Sequence, residues 1–240
     1  VGRGEILDLR GQLRENFPLA MPPAWLEADD AESASAPERV WKVPLLDEAG
    51  LVPAQLVEVV CASASGVGPH PPFGGDLLLA GLLAGAAGQG LYAALVDGTD
   101  GFDPASFQPE EAERLFARLL WVRCQTVAQV VKSADLLLRD GNLSLVVLDL
   151  QANALRELQQ QPAHVWYRLR ALAEQGRATC VALTPHRSIA AAQLRLDLHD
   201  TPSPELLERP RTALVEALQA RVTRQRRLET GTTKHGRMAG

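Results

Sequence analysis

The residues best suited to chemistry lie around a strand, a glycine-rich loop and a helix between positions 56 and 87. In that arrangement backbone N–H groups and a helix N-terminus can cradle phosphate. A nucleotide-hydrolysing loop of this kind needs G-x-x-x-x-G-K-[ST], because the lysine neutralises the β- and γ-phosphates and the hydroxyl ligates magnesium. At the matching point this chain reads Gly74, Gly75, Asp76, Leu77. A carboxylate stands near the place of the lysine and an apolar side chain in that of the hydroxyl, so phosphate would be repelled. Pro69, Pro71 and Pro72 remove three N–H donors, and His70 is the loop's one titratable cation candidate. These residues predict a structural loop with no bound nucleotide and no cofactor.

Two further groups invite a chemical reading. Asp97, Asp100 and Asp103 share the stretch ALVDGTDGFDP, and Asp149 closes the apolar run LSLVVLDL. Four carboxylates that converged could hold magnesium and make the chain a metal-dependent enzyme with a relocated site, although turns and caps are the simpler role for three acids in one loop. No zinc or other metal site is predicted. Cys61, Cys124 and Cys180 are far apart, without a Cys-x-x-Cys pair, and the five histidines show no ligand spacing. Each cysteine sits in an apolar stretch that reads as a strand, as a buried free thiol does. The other group is the C-terminal tail, where Arg221, Arg224, Arg226, Arg227, Lys234 and Arg237 face one acid, Glu229. Arg221, Arg224 and Arg227 recur at helical spacing, and such a cluster neutralises nucleic-acid phosphates without reading sequence. It also fits a solvated helix end favoured by the macrodipole. The tail lacks aromatic residues, so binding to DNA would be phosphate-led and salt-sensitive.

The elements that must position these groups alternate along the chain. Strands are predicted at 56–62, 91–96, 119–124, 143–150 and 178–184, and helices at 76–87, from 109 to about 115, from Thr126 to Arg139 and at 162–174. Four or five such units predict an α/β domain with a mostly parallel central sheet flanked by helices. Before it, Ile6, Leu9, Leu13 and Phe17 form the apolar stripe of a short helix ended by Pro18, which either packs on its own core or docks on a partner. A Ser/Ala/acid linker follows. After the core, Ser203 and Pro204 start a helical segment, and Leu214, Leu218 and Val222 extend it as an appended helix towards Leu228. The expected organisation is a helix and linker over 1–39, a core over 40–200 and a helical, basic extension over 201–240. With 240 residues, 46% of them hydrophobic and 22% charged, the composition is that of a globular protein. No apolar run reaches the roughly 18 residues of a membrane span. The net charge of −5 argues against a protein that simply coats nucleic acid, but it is an average: residues 1–60 carry −6 and residues 221–240 carry +5. The unpaired cysteines and the absence of a charged-then-apolar leader before Glu5 and Asp8 lead us to expect a reducing cytoplasm.

The order of strand, loop and helix, then ALVDGTDGFDP, then LLWVRC, a helix and LSLVVLDL, resembles the core of the RecA family between about residues 43 and 198. In that family the acidic motif has an Asp, a catalytic Glu two residues later that activates water, and a downstream Asp-Pro. The matching positions are Asp97, Thr99, Asp103 and Pro104, so Thr99 replaces the base; Asp149 matches the strand-end Walker-B aspartate. The resemblance thus implies a RecA-like core without ATPase activity. Within it, VPLLDEAGLVPAQLVEVV, the leading helix EILDLRGQLRENFP and the basic extension are similar to the ImuA proteins of bacterial SOS mutagenesis cassettes. That similarity implies a non-catalytic adaptor of the DNA-damage response, with RecA, the polymerase-like ImuB and an error-prone DNA polymerase as partners, nucleoid association and self-association as open features. Residues 56–150 are also similar to SulA, a cell-division inhibitor on the same core that binds FtsZ. That is the alternative, and it leaves both ends of the chain unexplained.

Overall fold

The apolar runs of the sequence become the inner strands of one seven-stranded sheet. The structure, a computed structural model, describes residues 43–61, 73–198 and 208–225. Its strands are β1 (Leu56–Val60), β2 (Ala93–Asp97), β3 (Leu119–Arg123), β4 (Leu145–Asp149), β5 (Thr179–Thr184), β6 (Leu194–Leu198) and β7 (Ala220–Gln225). They lie in the order β3-β2-β4-β5-β1-β6-β7. All pair in parallel except β6 with β7. This is the α/β arrangement the sequence predicts, a mostly parallel central sheet flanked by helices.

The helices are α1 (Pro44–Glu48), α2 (Phe73–Gly88), α3 (Pro109–Phe116), α4 (Val127–Asp140), α5 (Leu155–Gln160), α6 (Ala163–Gln175) and α7 (Arg211–Glu216). Alternation along the strands sorts the core into two faces. Val57, Val59, Leu145, Val147 and Val181 pack with α1, α2 and α7, whereas Leu56, Val146, Leu148, Cys180 and Ala182 pack with α4 and α6. Helix α4 has the ends its sequence predicts. The Thr126 hydroxyl accepts from the Gln129 N–H at 3.3 Å, and Gly141 closes the helix at φ +74°. Helix α2 is apolar all round because the sheet covers one side and α7 approaches the other. A Cβ on Gly81 would lie 2.7 Å from Val215 Cγ1 and 3.2 Å from Val43 Cγ2. The three cysteines are free and buried, and burial pushes the Cys180 thiol up to about 12.

Two expectations change. The helix predicted through Leu228 ends at Glu216, and Ala220–Gln225 is a strand paired with β6. Leu214 and Val215 satisfy the helical pattern by burial, but beyond them the open edge of β6 offers a ladder of backbone partners. That long-range pairing outweighs local periodicity. The C-terminal segment expected to start an appendage at 201 therefore supplies a strand of the core sheet. Strand β6 itself was not anticipated, although LRLDL alternates with period two. No helix among the described residues is long and apolar enough to cross a membrane. Ile6, Leu9, Leu13 and Phe17, and the linker after them, lie outside the described residues.

Candidate functional site

Helix α2 starts at Phe73, so Gly74 and Gly75 belong to its first turn and not to the preceding loop. Residues 62–72, with His70 and the three prolines, lie outside the described residues. Gly75 has a packing reason to be glycine: a Cβ there would fall 1.7 Å from Gln151 Oε1 and 3.0 Å from Cys61 Sγ. Gln151 comes from the turn after β4. Its Nε2 donates to Asp149 Oδ1 at 3.1 Å and to Asp76 Oδ1 at 3.4 Å. It thereby joins the carboxylate at the start of α2 to the carboxylate at the end of β4. No cationic side chain among the described residues pairs with either acid. Asp149 keeps part of its surface open, yet desolvation pushes its pKa up to about 6, with the charges of Asp76 and Asp97 adding to the rise and the Gln151 hydrogen bonds opposing it. Asp76, though exposed, is raised as well, by partial desolvation at the cavity wall, against the Gln151 hydrogen bond.

The acidic loop after β2 has a different use. Asp97, buried, accepts from the N–H groups of Thr99 (3.2 Å), Gly101 (3.0 Å) and Phe102 (2.9 Å) and from Trp121 Nε1 (3.3 Å). It folds the loop around itself. Asp100 forms a bidentate pair with Arg123, which holds its carboxyl below the usual range. Asp103 caps the 3-10 turn Pro104–Ser106 by accepting from the Ala105 N–H at 2.9 Å. The four carboxylates considered for magnesium therefore do not converge. Among the described residues no group of three or more His, Cys, Asp or Glu side chains is placed to hold a metal ion. The loop is anchored further at Gly98, whose N–H donates to Asp149 O at 2.9 Å and whose carbonyl accepts from Asn153 Nδ2 at 3.1 Å.

A cavity of about 440 Å³ opens beside the acid pair. Asp76 and Asp149 line it with Leu77, Ala80, Phe102, Phe107, Leu214 and Arg211. The Arg211 guanidinium sits 4.2 Å from the Phe107 ring centroid and donates to Glu111 Oε2 (3.1 Å) and Ser106 O (2.6 Å). Phe102, Phe107, Phe116 and Trp121 form an edge-packed cluster behind that wall.

Two of the predicted basic residues map to the β7 edge of the sheet. Arg221 and Arg224 lie on β7, and Arg226, Arg227, Lys234 and Arg237 lie outside the described residues. Their helical spacing does not apply on a strand, where residues three apart face opposite ways. A β-bulge changes that. Asp197 pairs with Arg221, Leu196 with Val222 and Arg195 with Arg224, leaving Thr223 as the extra residue. Since Asp197 and Arg195 share a face, so do Arg221 and Arg224. Arg187 joins them through its ion pair with Asp197, and Arg224 donates to Ala190 O at 2.7 Å. Beneath, buried Glu58 accepts from Arg195, from Thr184 Oγ1 at 3.3 Å and from the N–H groups of Ser188 (2.6 Å) and Ile189 (2.9 Å), fixing the β5–β6 connection.

The chain was compared with known proteins. No protein-family model matches the chain, and no curated protein matches it significantly. Among solved structures, the chain is similar to the RadB recombinase at 18% identity, over 67% of this chain and 82% of that one, with a TM-score of 0.47. The fold assignment rests on the sheet itself.

The tertiary structure thus brings Asp76 and Asp149 together, leaves Asp103 on the wall of the same cavity as the cap of its 3-10 turn, and turns Asp100 to Arg123. Gln151, which joins the two acids, and Arg211, which lines the cavity, were not singled out from sequence. Neither lies in a spacing pattern, and each has a partner more than 70 residues away.

Proposed function

We propose that this chain is a non-catalytic adaptor on a RecA-like core, acting in the response to DNA damage and helping to recruit error-prone polymerase machinery, as its similarity to ImuA implies. The observation that carries this reading is the distribution of charge. Where a nucleotide's phosphates would need a lysine, the chain has Asp76, joined through Gln151 to Asp149 at the ends of the inner strands; its arginines stand together at the β6–β7 edge of the sheet. An anion is repelled at the first place and attracted at the second. The partners in this reading are RecA, ImuB and an error-prone polymerase, with DNA held through Arg221, Arg224 and the basic residues that follow. No ATP turnover is expected.

The test combines two measurements on the full chain. Fluorescence anisotropy with labelled DNA should show binding that weakens steeply with salt, while Mg·ATP should neither be hydrolysed nor alter the melting temperature. Binding that is insensitive to salt, or measurable ATP hydrolysis, would sink the reading. Truncation after Thr212 is unsuitable for locating the contact, because it removes a strand of the sheet. Point substitutions of the arginines are the better probe.

A further inference from the structure

The cavity next to the acid pair has walls of two kinds. One is apolar and aromatic, with Leu77, Phe102, Phe107 and Leu214; at the other, Asp76 and Asp149 present carboxylates that no described cation neutralises. Its volume of about 440 Å³ suits a small molecule or a single long side chain. The aromatic wall already accepts a guanidinium, since Arg211 stacks on Phe107 at its rim. Behind the acids the Gln151 amide, more than nine-tenths buried, donates from Nε2 to both carboxylates, while its oxygen faces Gly75 and has no hydrogen-bond partner among the described residues.

We propose that this cavity binds an organic cation, an alkyl guanidinium or alkyl ammonium, with its charged head on Asp149 and Asp76 and its apolar stem along Phe107 and Leu214. A magnesium ion fits less well: Asp103 also lines the cavity, but no three His, Cys, Asp or Glu side chains among the described residues are placed to hold one metal ion. The burial that raises the pKa of Asp149 is a desolvation cost that a bound cation offsets. The head-group chemistry is the same whether it comes from a free amine or from an arginine or lysine of a protein partner. The site goes beyond the adaptor reading and does not depend on it.

Isothermal titration calorimetry on the full chain tests it. Agmatine is the free-cation probe, an acetylated and amidated Gly-Arg-Gly peptide is the side-chain probe, and n-butylurea is a neutral control. We expect saturable binding of agmatine or the peptide with a Kd on the order of 1 mM or tighter, and none of butylurea. The tighter of the two cations identifies the source. Asp149→Asn and Asp76→Asn should each weaken binding about tenfold or more, whereas Arg221→Gln should leave it unchanged. The Asp76→Asn variant alters an exposed side chain, so its fold should persist and its result remains informative. Absence of saturation, equal binding of butylurea, unchanged affinity in both aspartate variants, or magnesium binding more strongly through the same aspartates would each overturn the proposal.

Discussion

Asp149 works against the fold at neutral pH. Its folded pKa of about 6 lies above the ordinary carboxylate value of 3.8, so between those values the folded state holds more protons than the unfolded state. Its contribution is fully present below about pH 4 and is lost as pH rises through about 6. Asp76, shifted in the same direction, adds to the loss. Asp149→Asn should therefore be more stable than the parent at pH 7.5, by on the order of 2 kcal/mol once partial exposure is allowed for, and the difference should vanish near pH 4. Urea midpoints measured across that range check this, and a variant no more stable at pH 7.5 than the parent contradicts it. Gly98 is constrained in the opposite sense. A Cβ there would lie 2.2 Å from Asn153 Oδ1 and 2.6 Å from the Asp149 carbonyl oxygen, in the tie between the ends of β2 and β4. Backbone cannot yield as a side chain can, so Gly98→Ala should cost about 3 kcal/mol, read as a fall in the urea midpoint with unchanged slope. Neither residue advertises its role in sequence. Asp149 is legible as a strand-end acid, but its environment is made by Gln151 and by Asp76, which lies 73 positions earlier.

At the scale of elements, β7 shows how a local pattern can be overruled. Its bulge at Thr223 is held by the Thr223 hydroxyl, which donates to Asp197 Oδ1 at 3.3 Å, and its pairing covers the edge of β6. Deleting residues 219–240 should expose that edge, lower the melting temperature by about 5 °C or more and promote association of the truncated chain. Circular dichroism melts and light scattering measure the two effects; an unchanged melting temperature would show that β7 adds little. The elements read correctly from sequence carry either their own punctuation or a long apolar run. Helix α4 has Thr126 at one end and Gly141 at the other, and β4 and β5 are apolar runs that only a sheet covered on both faces can bury. Helix α5 and strand β6 are five or six residues long, too short for periodicity to separate them from loop.

The whole molecule is electrically polarised. Carboxylates gather where β1 and β4 end, arginines gather at the β6–β7 edge, and the net charge of −5 conceals both. If the arginine face holds DNA, the logarithm of affinity should fall linearly with the logarithm of salt concentration, and Arg221→Gln should make that slope shallower by about one phosphate contact. Anisotropy titrations at several salt concentrations give the slope, and an Arg221→Gln slope equal to the parent's would remove that residue from the contact. The sequence by itself determined the class of fold, the missing lysine and hydroxyl of a nucleotide site, and the basic end of the chain. Each of these is a property of residue type or short-range spacing. Only the tertiary structure decided which acids meet, that Arg221 and Arg224 share a face, and that a cavity lies between α2, the β2 loop and Arg211. Those outcomes depend on strand register, on one extra residue in a ladder and on side chains approaching from distant segments, and no local pattern encodes them.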